Sequence, residues 1–128
     1  MKKLTNVEIT LEQFMHYIQS GYNHFINVEV QDTGEMKYLD LSGMTFEYCY
    51  LALDFTGSMF RETNFKACNL KTCVFESADL SCSCFLDCAL CSTNFKNAKV
   101  DHIVFERNYF HLYLLDITDL YSMINEEL

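Results

Sequence analysis

The chain has 128 residues, a length typical of a single domain. Half of the residues are hydrophobic, with 11 Phe and 8 Tyr, so a core can form and a disordered chain is excluded. The net charge of −9 disfavours direct nucleic-acid binding, which requires Lys and Arg, and suits a chain that repels nucleic acid, imitates it or docks on a basic partner.

The start of the chain shows no targeting pattern. Asn6, Glu8 and Thr10 interrupt any apolar stretch there, and no apolar run in the chain approaches 18 residues. We therefore expect neither a signal peptide nor a transmembrane helix. Seven cysteines are an odd number and cannot all pair within the chain, so we expect reduced thiols and a cytoplasmic protein.

The first predicted element is a helix that begins after Thr10. Thr10 and Gln13 have the spacing of a capping box, in which each side chain accepts a bond from the backbone N–H of the other residue. Apolar residues then follow at the helical spacing i, i+3, i+4 and i+7, at Leu11, Phe14, Met15 and Ile18. Gly21 is a typical residue just beyond a helix end. We expect this helix to cover the next segment, as part of an N-terminal cap of residues 1–24.

The middle of the chain repeats with a period of five. From Phe55 to Phe105 a large apolar residue recurs at every fifth position, eleven times in succession, and the residue two before it is usually small. Neither a helix nor a strand has this period, so the backbone must turn a corner every five residues, with the large and the small residue pointing inward. Four corners close a square coil of twenty residues, and successive coils stack at about 4.8 Å.

Residues twenty positions apart should therefore stack in columns and match in kind. Upstream of Phe55 the same columns are recovered if one residue is missing near residues 52–54 and one is added near Gly34. The predicted core columns are Phe25, Phe46, Phe65, Phe85 and Phe105; Phe55, Phe75 and Phe95; Leu51, Leu70 and Leu90; and Leu41, Phe60, Leu80 and Val100. They predict a packed core of about four and a half coils over residues 25–107.

Several of these five-residue segments resemble pentapeptide repeats, whose consensus is A(D/N)LXX. The segments that carry the resemblance are Leu39–Gly43, Thr63–Ala67, Cys68–Thr72 and Ala78–Cys82. The resemblance covers roughly residues 25–107 and implies a right-handed quadrilateral parallel β-helix. The expected fold class is therefore an all-β solenoid with a helix at each end. The family is mostly of unknown function, although some members imitate B-DNA and bind DNA gyrase or topoisomerase IV.

Cys82, Cys84, Cys88 and Cys91 are spaced densely enough to suggest a metal site. The repeat places Cys88 inward and the other three outward on different sides of the square, so the four thiolates would not converge. We therefore predict no metal and no cofactor. We expect the inward residues Cys49, Cys68, Cys73 and Cys88 to be small core fillers, and Cys82, Cys84 and Cys91 to be accessible.

No pattern indicates catalysis. The four histidines lack metal-binding spacing and nucleophile partners, and no phosphate-binding loop or nucleophile elbow is present. A solid square core also leaves no internal pocket, whereas enzymes usually need a concave site. We therefore predict that the protein is not an enzyme.

Residues 108–128 form the predicted C-terminal cap, with a helix over about residues 117–127 that begins at Asp116 or Thr118. Its apolar stripe comprises Ile117, Leu120, Tyr121, Ile124 and Leu128. The remaining apolar residues exceed what a cap needs, and surplus apolar surface usually marks an interface. The predicted homodimer interface comprises Tyr109, Phe110, Tyr113, Leu114, Leu120, Met123 and Ile124. In the alternative, residues 109–115 complete the fifth coil and the protein is a monomer. The resemblance favours the dimer, since family members pair through their C-terminal ends.

The sequence favours a non-enzymatic module that docks on another protein, with an unknown partner. Loops carry function more often than scaffolds, so the expected contact points are the insertion around Gln31–Tyr38, the residues Tyr48 and Tyr50, and the two ends. Two alternatives stay open. One is a DNA mimic that binds gyrase or topoisomerase IV, although basic and acidic residues are mixed in the outward columns. The other is a small acidic immunity protein that blocks a basic toxin.

Overall fold

The computed structural model describes residues 2–125 and shows a parallel β-solenoid of about five turns with a helix at each end. This confirms the predicted fold class, with about half a turn more than the sequence indicated. The elements in chain order are β1 Lys2–Ile9, α1 Leu11–Gln19, β2 Tyr22–Val30, β3 Gly34–Glu35, β4 Thr45–Glu47, β5 Leu53–Asp54, β6 Asn64–Lys66, β7 Cys84–Leu86, β8 Val104–Glu106, β9 Asn108–Phe110, β10 Tyr113–Leu115 and α2 Ile117–Asn125.

One side of the solenoid is a continuous parallel sheet in the order β1-β2-β4-β6-β7-β8. Strands β3 and β5 pair on another side, and single bridges join the coils elsewhere. Neither helix in residues 2–125 is long and apolar enough to cross a membrane.

Strand β1 is an element that the sequence did not reveal. It pairs in parallel with β2, with Leu4 opposite Phe25 and Ile9 opposite Val30, and so precedes the first complete coil. Asn6 and Asn27 join the two strands through a side-chain bond of 2.9 Å, and both have positive φ, which Asn tolerates well. Because β1 has no five-residue repeat, only pairing with β2 identifies it as part of the solenoid. The segment 1–24, predicted as a helical cap, therefore contains a strand as well.

Helix α1 closes the N-terminal end of the core. Thr10 and Gln13 form the predicted capping box, in which each accepts a bond from the other's backbone N–H (3.0 and 3.1 Å). Phe14 is completely buried, with its ring 5.3 Å from Phe25 and 6.4 Å from Phe46. The helix thus covers the end of the first Phe column.

The core consists of stacked rings. In one column the ring centroids of Phe46, Phe65 and Phe85 are 5.2 and 4.7 Å apart, with interplanar angles of 12° and 28°. In the other, Phe75 stacks on Phe95 at 5.4 Å, and it meets Phe85 edge-on at 5.8 Å. All residues of the predicted columns are buried except Val100, which is half-buried in the last coil. Stacking within columns and edge contacts between them suit the charge distribution of aromatic rings.

Each corner requires a residue in the left-handed region. The residue two after the central one has positive φ in nearly every repeat, for example 57° at Ser77 and 58° at Asp87. This conformation costs about 1–2 kcal/mol for a non-Gly residue. Its N–H then points at the next coil, as in the bond of 2.8 Å from Ser77 to the carbonyl of Lys96. The bonds between coils therefore offset the strain of the corners.

The Asp or Asn before the central residue has a local role. Its side chain accepts a bond from the backbone N–H two residues later, as Asp40 does from Ser42 and Asp79 from Ser81 (both 3.0 Å). The bond from the Ser42 N–H lowers the pKa of the Asp40 carboxyl below its ordinary value. These residues hold the corner, which explains their place in the repeat.

The small inward residues connect one coil to the coil below. Thr63 donates its hydroxyl to the carbonyl of Leu41 (3.0 Å), and Cys73 donates its thiol to the carbonyl of Leu51 (2.9 Å). The acceptor in each case is the central residue of the preceding coil. A side chain at this position must be small enough to fit inside and benefits from a donor, which accounts for the Ser, Thr and Cys found there.

The core makes a direct prediction about Phe85, which contacts Phe65, Phe75 and Phe95. Phe85→Ala should lower the free energy of unfolding by about 3–5 kcal/mol, because it leaves a cavity in a closely packed column. Urea unfolding followed by circular dichroism measures this loss. Tyr48→Ala, at an exposed position, is the control and should change stability little. A loss below about 1 kcal/mol at Phe85 would contradict the stacked-column core.

Candidate interaction surface at the C-terminal end

The solenoid ends at Asn108, which takes the inward position that Cys68 and Cys88 hold in earlier coils. Asn108 is completely buried. Its side-chain oxygen accepts a bond from the N–H of Cys88 (3.0 Å), and its amide nitrogen donates to the carbonyl of Phe85 (2.9 Å). An amide can satisfy a donor and an acceptor at once, so this residue completes the polar contacts of the last inward column.

After Asn108 the chain reverses instead of starting another coil. Strands β9 and β10 pair antiparallel, with Phe110 opposite Tyr113 and Asn108 opposite Leu115. Within residues 2–125, β10 pairs with no strand other than β9. Its outer edge is therefore available to another strand.

Asp116, one of the two predicted starts, precedes helix α2 and caps it. The Asp116 carboxylate accepts bonds from the Thr118 hydroxyl (2.6 Å) and the Asp119 N–H (3.0 Å), and Asp119 accepts the N–H of Asp116 (2.8 Å). The bond from Thr118, followed by that from Asp119, lowers the pKa of the Asp116 carboxyl. At the other end of α2, the carbonyl of Ile124 accepts the N–H of Asn97 (3.0 Å), which joins the helix to the last coil.

The inner face of α2 differs from the predicted stripe. Leu120 is completely buried, and Ile117, Met123 and Ile124 pack on the core while half-buried. Tyr121, predicted to face inward, is half-exposed, whereas Met123 lies inward. Packing of α2 against the last coil decides this rotation, which helical spacing alone could not fix. Leu128 and the predicted helix end lie outside the described residues.

The β9–β10 hairpin carries the largest group of exposed apolar residues. Leu112, at its tip, is fully exposed, and Tyr113 and Leu114 are 62% and 66% exposed. Tyr109 and Phe110 are also more than a third exposed. Four residues of the predicted interface lie on this one exposed hairpin: Tyr109, Phe110, Tyr113 and Leu114. Leu120 was wrongly included, because it fills the end of the core and no partner could reach it.

An open apolar cleft of about 760 Å³ separates the hairpin and α2 from the last coil. Its apolar lining comprises Leu90, Phe95, Phe110, Leu115 and Met123, and the polar residues Ser92, Thr93, Asn94, Asp119 and Ser122 also line it. The hairpin surface therefore continues into a recess that an apolar side chain could enter.

The other predicted contact points are exposed tyrosines on the flanks. Tyr48 is 66% exposed, and Tyr50 is less so. Tyr38 lies over Gly57, where a Cβ would collide with the tyrosine ring. Residues such as Ser77 adopt a positive φ at the equivalent corner of other repeats, so the φ of +69° alone does not require glycine, and the close approach of the Tyr38 ring is what favours it here.

The seven cysteines are all free thiols. Cys49, Cys68, Cys73 and Cys88 are buried, and burial raises the pKa of the Cys73 thiol to about 12. Cys82 is exposed and Cys84 half-buried. The prediction for Cys91 was wrong: its position in the repeat points outward, but the hairpin folds over it and the N–H of His111 donates to its sulfur (3.2 Å). Within residues 2–125, no group of three His, Cys, Asp or Glu side chains is placed to share a metal ion.

A match to a family model agrees with the repeat. Eight copies of the family model for pentapeptide repeats match residues 58–97. Among solved structures, alr5209, a pentapeptide repeat protein from Nostoc Pcc 7120, is 18% identical with a TM-score of 0.44, covering 93% of this chain and 96% of its own. A trypsin-treated variant of QnrB1, described as a plasmid-mediated fluoroquinolone resistance protein, is 16% identical with a TM-score of 0.41, covering 84% of this chain and 70% of its own. No curated protein sequence matches.

Thiol reactivity tests how the hairpin and the core shield cysteines. In the native protein a thiol reagent should label Cys82 rapidly and Cys84 more slowly, since only these two are accessible. Cys49, Cys68, Cys73, Cys88 and Cys91 should react only on unfolding. Mass spectrometry of labelled peptides measures this order, and labelling of the unfolded chain is the control. Labelling of Cys91 as fast as Cys82 would contradict the hairpin position.

Proposed function

The chain is a pentapeptide-repeat protein, and on that basis we propose that it is a non-enzymatic docking module that acts as a homodimer joined through its C-terminal end. The observation that carries the proposal is the exposed apolar hairpin of β9 and β10. Within the described residues, the core is filled by stacked rings, and the large cleft lies at this same end.

A second copy fits this end better than other occupants because of strand geometry. The free edge of β10 is self-complementary: two such strands related by a two-fold axis run antiparallel and can bond to each other. That pairing would bring the exposed Leu112 and Leu114 of each protomer towards the apolar cleft of the other. It would remove from water both an open strand edge and the largest exposed apolar group among the described residues.

The dimer leaves the flanks of the two rods free for a protein partner. Tyr38, Tyr48 and Tyr50 lie exposed on these flanks, away from the C-terminal hairpin. Tyrosine is enriched in protein interfaces because it offers a large rigid surface with a polar end. The seven free thiols suit a reducing compartment, so we place this docking in the cytoplasm.

The DNA-mimic alternative rests on the family resemblance, and the immunity-protein alternative rests on small size and net charge. A DNA mimic requires a continuous negative face, but Arg61 lies 3.3 Å from Asp79, and Arg107 lies 2.8 Å from Asp87. These pairs between neighbouring coils reduce the negative field on the rod and favour docking on a protein surface of mixed charge. A gyrase supercoiling assay distinguishes the DNA mimic. Protection of a cell against a basic toxin encoded nearby would distinguish the immunity protein.

The oligomeric state tests the C-terminal interface. Analytical ultracentrifugation at micromolar concentration should give about 30 kDa, twice the chain mass of 15.0 kDa. The double variant Tyr113→Ser and Leu114→Ser should sediment as a monomer, because it removes the apolar contacts of β10 and leaves the core intact. Tyr48→Ser is the matched control, being equally exposed but distant, and should remain a dimer. A mass near 15 kDa for the wild-type chain would overturn the dimer.

Partner capture tests the flanks separately. The double variant Tyr48→Ala, Tyr50→Ala should retain at most half as much of any protein that the wild-type chain captures from its native cell, because each substitution removes exposed aromatic surface. The Tyr113→Ser, Leu114→Ser variant reports whether that retention also needs the dimer. Equal retention by the flank variant and wild type would remove Tyr48 and Tyr50 from the proposed surface.

A further inference from the structure

The apolar cleft between the hairpin, α2 and the last coil has the dimensions of a ligand site. Its volume of about 760 Å³ lies within the range of about 300–1,000 Å³ that is typical of small-molecule sites. Phe110, which lines it, is 43% exposed, and Leu115 and Met123 are half-buried, so a ligand can reach apolar surface there. Tyr113 and Leu114, whose substitution tests the dimer, do not line the cleft. Its ligand chemistry is therefore separable from the dimer contact.

Among the described residues, Asp119 is the only charged one that lines this cleft. Its Oδ2 accepts the N–H of Asp116 (2.8 Å) as part of the cap of α2. Its Oδ1 has no hydrogen-bond or ion-pair partner within residues 2–125. A carboxylate can accept several hydrogen bonds, so capping the helix leaves acceptor capacity on Asp119 for a ligand.

The charge around the cleft is negative. Between Asn108 and Asn125 the chain has two carboxylates, Asp116 and Asp119, and no Lys or Arg. The net charge of −9 on the whole chain adds to this local field. A carboxylate beside apolar surface attracts a cation more strongly than one in bulk water, because the protein lowers the effective dielectric constant. The cleft therefore repels anions and favours a positively charged ligand.

The polar groups of the cleft suit a donor-rich head group. Helical spacing places Asp119, Ser122 and Met123 on one face of α2, at i, i+3 and i+4, and all three line the cleft. This face thus presents a carboxylate, a hydroxyl and an apolar chain together. Ser92 of the last coil also lines the cleft and supplies a further hydroxyl oxygen. An ammonium group has three donors and no acceptor, so it requires oxygen atoms of this kind around it.

We infer that this cleft binds a small organic ammonium compound with an apolar body. The ammonium group bonds to the Asp119 carboxylate and the Ser122 hydroxyl, and the apolar body packs against Phe110, Leu115 and Met123. A lysine side chain of a partner protein fits less well, because its thin stem would leave most of the 760 Å³ unfilled. A compact amine with an apolar body instead removes this lining from water.

Backbone amide shifts in a ¹⁵N-labelled sample test this site without any activity assay. The sample is the Tyr113→Ser, Leu114→Ser variant, in which no partner copy is expected at the cleft. The amine 2-phenylethylamine is titrated at constant pH and ionic strength, with 3-phenylpropionate and 2-phenylethanol as anionic and neutral probes of similar shape. The amides of Asp119, Ser122 and Met123 should shift with saturation. The amine should bind at least about tenfold more tightly than either other probe, because only it forms a charge-assisted bond.

Asp119→Asn should weaken binding of the amine about tenfold and leave binding of the alcohol unchanged, because it removes the charge and keeps an oxygen that can cap the helix. Glu62→Gln is the matched control, since it removes one exposed acid outside the cleft and changes the net charge equally. It should leave the affinity for the amine unchanged. Ser122→Lys gives a second variant that does not disturb the cap, and its own ammonium group should take the place of the ligand and abolish binding.

Absence of saturable shifts up to about 10 mM amine would overturn the site. Equal affinity for the amine and the alcohol, or equal weakening by Glu62→Gln and Asp119→Asn, would overturn the role of Asp119. Tighter binding of a lysine-containing peptide than of the amine would overturn the assignment to a small molecule. Sedimentation of the wild-type chain decides the dimer separately, so failure of either proposal leaves the other standing.

Discussion

The hydrogen bond between one coil and the next is the interaction on which the rest of this molecule depends. A corner every five residues forces non-Gly residues such as Ser77 into the left-handed region, and the coil-to-coil bonds offset that strain. The same stacking places Phe65 over Phe85 and Phe75 over Phe95, so bonding and aromatic packing reinforce each other. The repeat has an Asp or Asn at the corner and a small donor inside because each serves one of these two contacts.

A stack of hydrogen-bonded coils has two ends, and this chain closes them in different ways. At the N-terminal end, β1 extends the sheet and α1 places Phe14 on the first ring column, so that end is paired and covered. At the C-terminal end, Asn108 completes one column and α2 covers the core with Leu120. That second closure leaves the edge of β10, the exposed hairpin and the last coil's N–H groups without partners from another coil. The proposed dimer interface follows from this incomplete closure.

The sequence by itself determined the repeat, the coil length, the core columns and the start of α1, because each depends on local spacing or on identity at a fixed period. It left Asp116 and Thr118 as alternative starts of α2. Only the tertiary structure decided the features that depend on contacts with neighbouring elements. β1 became a strand by pairing with β2, Cys91 became buried under the hairpin, and α2 turned Met123 inward and Tyr121 outward. A period specifies which side of the coil a residue occupies, but neighbours outside the period decide whether it is covered, paired or left free.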